Sequence, residues 1–223
     1  MAGTVFAGRE VLVFGAAGAL GTGLATAFAA EGAQVTGIDR AEPRQPLPGV
    51  SHRDADVLDD VSLGALFDDL PVPWAVVNTV GGFAPHTPLP ELDPDVLTGQ
   101  LRLNLVSAAL ITKHALRRMS TTGQGRLVHT ARRAATVTRG RGFAYSVSKL
   151  GVLHLVAMAA DEVRGTQITV NCVVPSIIDT PANRSAMPGA DYASWPKIPD
   201  IAQAYLFLAA PDAHLVSGAA IPV

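Results

Sequence analysis

Twenty consecutive residues, Val11 to Ala30, carry no charge. A stretch of that length and polarity leaves two outcomes, a membrane span or a buried strand followed by a buried helix. Four glycines at 15, 18, 21 and 23 and two threonines dilute it, and no basic cluster flanks it. We therefore read Val11 to Phe14 as a strand and Ala19 to Glu31 as a helix, with the glycines turning the chain between them. Glycine there permits a tight turn and close backbone approach, and the free N–H groups of the helix then meet a pyrophosphate. Asp39 ends the next apolar run, eighteen residues past Gly21, where a carboxylate accepts both hydroxyls of a ribose.

The rest of the 223 residues repeats that rhythm. Apolar β-branched runs at Val11–Phe14, Gln34–Ile38, Ala75–Asn78, Arg126–Thr130, Ile168–Val174 and Ala219–Val223, with a weaker one at Val50–Arg53, alternate with helical patterns. The helices fall near Ala19–Glu31, Asp59–Leu70, Asp95–Met119, Phe143–Val163 and Pro199–Leu208. Strands separated by helices imply parallel βαβ units, and strands without polar alternation imply a sheet covered on both faces. The expected fold is α/β, a Rossmann-type doubly wound parallel sheet of about seven strands in one domain over residues 1–223. Prolines mark irregular segments near 81–94 and 176–198, the candidate substrate walls.

Composition narrows function further. Hydrophobic residues are 48%, charged residues 16% and the mean hydropathy is +0.29, which excludes disorder. A net charge of −2 leaves no basic field for nucleic acid or an anionic membrane. Cys172 is the one cysteine and no two of the six histidines stand at ligand spacing, so no disulfide and no metal site are expected. The N-terminus lacks a secretory pattern, and the expected address is the cytoplasm.

Tyr145 and Lys149 form a second constellation. Residues i and i+4 share one helix face, so the Lys149 ammonium is expected beside the Tyr145 phenol, lowering its pKa. A tyrosine tuned in that way exchanges a proton near neutral pH.

These pieces occur in the order found in the short-chain dehydrogenase/reductase family, which the chain resembles over essentially its whole length. The shared residues are Gly15, Gly18 and Gly21, Asp56-Val57, Asn78-Thr79-Val80-Gly81, Asn104, Tyr145 and Lys149, and Pro175 to Pro181. The resemblance implies that Tyr145 is the general acid/base, that Lys149 holds the nicotinamide ribose, and that Asn104 anchors a proton-relay water. It implies a cofactor path along Gly15, Ala17, Gly18, Ala19, Leu20, Gly21, Asp39, Arg40, Asp56, Val57, Asn78, Gly81, Lys149, Pro175, Ile178 and Thr180. Gly82, Phe83, Arg133 and Trp195 are the expected substrate contacts.

Two departures stand out. The glycine spacing Gly15-x-x-Gly18-x-x-Gly21 differs from the commoner one, and Arg132, thirteen residues before Tyr145, stands where most relatives carry a serine that polarises a carbonyl. Thr130, Thr136 and Thr138 are alternative sources of that hydroxyl, and Arg132 is itself a candidate catalytic residue whose N–H donors would hold a substrate carbonyl in the serine's place. With the Gly81-Gly82 pair and the stretch from Asp179 to Trp195, these departures resemble a dihydropteridine reductase-like branch, whose quinonoid substrate develops no alkoxide for a serine to stabilise. Arg132, Arg133, Arg139 and Arg141 form either a solvated basic loop or an anion-binding cluster.

The expected function is thus an NAD(P)H-dependent oxidoreductase whose substrate is a planar conjugated compound such as a quinonoid dihydropterin. The alternatives are a reductase of a small or anionic ketone and a catalytically silent dinucleotide-binding scaffold. NAD(H) is preferred over NADP(H), because Asp39 repels a 2′-phosphate and the glycine turn carries no cation, although Arg40 is adjacent. The helices at 95–119 and 143–163 are expected to build a homodimer, or a tetramer, since the second is apolar nearly all round.

Overall fold

The computed structural model describes residues 4–42, 45–84, 87–132 and 142–223. Seven parallel strands form one sheet: β1 (Glu10–Phe14), β2 (Gln34–Asp39), β3 (Val50–Asp54), β4 (Ala75–Asn78), β5 (Gln124–Thr130), β6 (Gln167–Val174) and β7 (Ala220–Pro222). They are ordered β3-β2-β1-β4-β5-β6-β7. The order reverses between β1 and β4, and such a reversal opens a crevice at the carboxyl ends of the strands. Register brings Phe14 beside Asn78, Asn78 beside His129 and His129 beside Cys172, so the ends of four strands face that crevice together.

Helices cover both faces, as the continuous apolar strands demand. On one side α1 (Ala19–Ala30) and α7 (Ile198–Ala209) bury Leu24, Phe28, Ile201 and Tyr205 against Val11, Val13, Val77 and Val173. On the other, α2 (Asp60–Asp69), α4 (Ser107–Met119) and α5 (Phe143–Glu162) bury Leu63, Ile111, Val152 and Val156 against Leu12, Val76, Leu127 and Val170. The uncharged run Val11–Ala30 is therefore β1, the turn and α1. By length and composition α5 is apolar enough to cross a membrane, yet its Val152, Val156 and Ala159 pack on the sheet.

Two expectations need correction. The single helix at Asp95–Met119 is instead α3 (Pro94–Gln100), a π-helical turn (Leu101–Val106) and α4. The wider turn aims Asn104 inward, where it meets partners from two other segments. The segment 176–198, expected as loop, contains α6 (Pro181–Ala186) and a short 3-10 turn at Tyr192–Ser194. Thr180 caps α6 by accepting the Asn183 N–H and Pro181 sits at its first position, a start signal already present in Thr-Pro.

Candidate active site

The glycine turn is shaped by contacts that only glycine allows. Gly15 has φ +81, and a Cβ on Gly21 would lie 2.0 Å from the Gly15 carbonyl oxygen. No side chain caps α1 and no acid stands in its first turn, so its positive end is open to an anion. Asp39, at the end of β2, accepts the Ala17 N–H at 3.0 Å and the Ala41 N–H at 3.2 Å, joining the turn to the carboxylate expected at the ribose. Arg40 beside it is exposed. Asp56 lies two residues past Asp54, the register partner of Asp39, and Val57 is buried behind it in the core. An uncapped helix end, a turn too tight for a Cβ and a carboxylate at the next strand end fit a dinucleotide.

Beyond that turn a cleft of about 530 Å³ opens over the ends of β4, β5 and β6. Leu20, Gly81, Gly82, Phe83, Pro175 and Ile178 line it together with Arg132, Tyr145 and Lys149. Asn183 and Met187 line it too, contributed by the α6 segment and not among the expected site residues. Arg133, Arg139, Arg141, Thr136 and Thr138 lie outside the described residues. Thr130 is no free hydroxyl: it donates to the Asn78 carbonyl at 2.7 Å and pairs with the buried Tyr205 hydroxyl at 2.7 Å. Trp195, expected at the substrate, is instead buried outside the lining of this cleft, its ring 5.0 Å from that of Tyr192. Thr180 accepts the Asn183 N–H in capping α6 and is not among the residues lining this cleft.

Tyr145, Lys149 and Asn104 converge around Gly81. A Cβ on Gly81 would lie 2.6 Å from Asn104 Oδ1 and 2.8 Å from Lys149 Nζ, so any side chain there would block their approach. Asn104 Oδ1 accepts the Gly82 N–H at 3.0 Å, while its amide group reaches Gly82 O, Gln100 Oε1 and Ser148 Oγ, each at 3.1 Å. Ser148 in turn donates to the Tyr145 carbonyl at 2.8 Å, tying the π-helical turn to α5.

Lys149 donates to the Thr130 carbonyl at 3.1 Å, and burial pulls its pKa down to about 8. Burial also pushes the Tyr145 phenol above its ordinary value, and the opposing influence is Arg132, through its charge and a side-chain hydrogen bond. Arg132, its guanidinium carbon 5.3 Å from the centre of the Tyr145 ring, is thus a second cation at the phenol that the spacing of Tyr145 and Lys149 does not foretell.

Beneath the cleft runs a buried chain of hydrogen bonds. The Thr112 hydroxyl donates to the Ala108 carbonyl at 2.8 Å, which leaves its oxygen to accept from His129 Nε2 at 2.9 Å. His129 Nδ1 then accepts from the Asn78 amide at 3.1 Å, and Asn78 Oδ1 takes the Val80 N–H at 2.9 Å. Every atom has one role only if His129 is neutral, and burial holds its pKa down to about 3. Nothing in the sequence marks this histidine, because its partners come from β4 and α4.

Comparisons with known proteins agree with this geometry. A family model described as enoyl-(acyl carrier protein) reductase matches residues 15–223. Cis-4-hydroxycyclohexanecarboxylate dehydrogenase of Sinomonas cyclohexanicum is 33% identical, over 99% of this chain and 97% of its own. D-threitol dehydrogenase of Mycolicibacterium smegmatis is 30% identical over 95% and 90%. A short-chain type dehydrogenase/reductase from Mycobacterium ulcerans superposes with a TM-score of 0.90 at 25% identity, covering 98% of this chain and 89% of that one. With the seven-stranded sheet, the open end of α1 and the Tyr145–Lys149 pair already in place, these matches make the chain a member of the short-chain dehydrogenase/reductase family, an NAD(P)-dependent oxidoreductase.

Proposed function

We propose that the protein interconverts a small secondary alcohol bearing a carboxylate and the corresponding ketone. The observation that carries this reading is the charge of the cleft. Arg132 and Lys149 line it and no acidic residue does. All nineteen Asp and Glu residues fall within the described parts of the chain, so none is held back to neutralise it. Two cations in a cleft whose remaining lining is neutral favour an anionic substrate, since a buried charge without a counter-ion is costly. The relative from Sinomonas, named for a cyclic hydroxy acid, supports the same class.

A nicotinamide cofactor held by the Gly15–Gly21 turn and Asp39 would supply the hydride chemistry at the carbinol carbon. Tyr145 takes the alcohol proton during oxidation and returns it during reduction. Lys149, fixed on the Thr130 carbonyl, holds the ribose. Asn104, fixed on Gly82, Gln100 and Ser148, keeps the π-helical turn against α5.

NAD(H) is the preferred cofactor in this reading, because Asp39 stands where a 2′-phosphate would be repelled. The protein acts as a homodimer: Leu150 and Met158, about half exposed on α5, and Val106 on the π-helical turn form an outward apolar face that a second copy covers. A planar conjugated substrate such as a quinonoid dihydropterin is the second reading, favoured by the edge-on pair of Phe83 and Tyr145 rings 5.2 Å apart. The buried position of Trp195 weakens it.

The test is NAD⁺ reduction with cis- and trans-4-hydroxycyclohexanecarboxylate, with cyclohexanol and threitol as neutral comparators, and NADH oxidation with quinonoid dihydropterin. The hydroxy acids should exceed cyclohexanol in kcat/KM by about tenfold or more, roughly 1.4 kcal/mol of transition-state binding. Tyr145→Phe should abolish turnover while cofactor binding persists. Equal rates for charged and neutral alcohols, or turnover of the pterin alone, would overturn the reading.

A further inference from the structure

We infer that Arg132 is a catalytic residue, holding the reacting oxygen of the substrate beside the Tyr145 hydroxyl and setting the acidity of that hydroxyl. The inference rests on the alcohol–ketone reading for its kinetic consequences, but its hold on Tyr145 stands on geometry alone. Arg132 follows Ala131, whose N–H is anchored to the Val173 carbonyl at 3.0 Å, so the residue emerges from the end of β5 at a fixed place. It lines the cleft together with Tyr145, and its charge opposes the burial that raises the phenol's pKa. The guanidinium carbon lies 5.3 Å from the centre of the Tyr145 ring and 5.6 Å from that of Phe83. The two rings meet edge-on, so the group is lodged between aromatic faces, an arrangement that suits arginine better than lysine.

Nothing competes for the charge. Among the described residues no carboxylate pairs with Arg132, and Asp179, the acid nearest in the α6 segment, is bound in a two-point ion pair to Arg184. The other charged or titratable groups about Tyr145 are Lys149 on its own helix and, behind Lys149, Cys172 on β6, whose thiol burial pushes up to about 12. His86, Arg133, Arg139 and Arg141 lie outside the described residues. A guanidinium has five N–H donors, enough to face both the phenol and a substrate in the cleft it lines.

The chemistry follows from that placement. During oxidation the substrate O–H and carbinol C–H bonds break and the C=O bond forms. The hydride leaves with its electron pair to the nicotinamide, and the proton passes to the Tyr145 phenolate. Negative charge builds on the substrate oxygen as the proton leaves, and a preorganised N–H donor there stabilises it.

The decisive experiment reads Tyr145 directly, by tyrosinate ultraviolet absorbance from pH 8 to 13. The chain has three tyrosines, and burial holds Tyr205 far above its ordinary range, so Tyr145→Phe identifies the step belonging to Tyr145 by subtraction. In Arg132→Ala and Arg132→Ser that step should rise by about one pH unit or more, since both remove the opposite charge. In the kinetic arm Arg132→Ala should lower kcat by about 100-fold and Arg132→Ser should regain part of that loss by restoring a donor. The acid limb of the pH profile for oxidation should stay displaced in both variants, with cofactor affinity unchanged. An unmoved tyrosinate step overturns the inference whatever the substrate proves to be. So does a purely KM effect, which would leave Arg132 a contributor to substrate binding with no part in the chemical step. If the step moves and no alcohol is turned over, the proposed substrate class fails and the assignment of Arg132 to Tyr145 stands.

Discussion

Acid should unfold this protein earlier than its surface charge suggests, and His129 is the reason. In the unfolded chain its imidazole titrates near 6.5, and in the fold burial holds it down to about 3. Between those values the unfolded state binds a proton that the folded state refuses, so stability falls as pH falls through that window. The cost is about 1.4 kcal/mol per pH unit below 6.5, or about 2 kcal/mol by pH 5. Against the roughly 5–15 kcal/mol that holds a domain together, one side chain then removes a large share. The geometry explains why the proton is refused: Nδ1 already accepts from the Asn78 amide, and a protonated ring would set one N–H against another. The assay is urea denaturation at pH 7.5, 6 and 5, at fixed protein concentration, for the wild type and His129→Asn. The wild type should lose about 2 kcal/mol more than the variant between pH 6.5 and 5. Parallel pH dependence in the two proteins would show that His129 is protonated in the fold, and the tautomer argument would be wrong.

Other expectations follow from single contacts. Gly21→Ala places a Cβ 2.0 Å from the Gly15 carbonyl oxygen, a backbone atom that moves only with the turn; overpacking of about 1–3 kcal/mol should weaken cofactor binding by about tenfold or more in calorimetry. Asp39→Asn keeps an acceptor for the Ala17 N–H but removes the charge, so the ratio of kcat/KM for NADH over NADPH should fall; a wild type that already prefers NADPH would contradict the role given to Asp39. Light scattering at micromolar concentration should show a dimer, and Leu150→Lys with Met158→Lys should shift it toward monomer; a monomeric wild type would remove the proposed interface.

Much of this protein is legible in local sequence because much of it is governed by local physics. Parallel strands read as unbroken apolar runs, glycines at 15, 18 and 21 meet steric limits within a few residues of one another, and Tyr145 and Lys149 share a helix face through a spacing of four. The seven strands, both helical layers, the place of Asp39 at the end of β2 and the Tyr145–Lys149 pair on α5 come from that level. What the tertiary structure decided depends on partners far apart in the chain. Asn104 turns inward in a π-helical turn because Gly82 and Ser148, twenty-two and forty-four residues away, satisfy its amide. Trp195 left the substrate for a buried contact with Tyr192, and Thr130 was claimed by Tyr205, seventy-five residues on. The cation beside Tyr145 shows the limit most clearly. Spacing nominates Lys149, which the Thr130 carbonyl holds, but it gives no sign that the end of β5 also sets the Arg132 guanidinium 5.3 Å from the centre of the Tyr145 ring, a contact made only by packing β5 against α5.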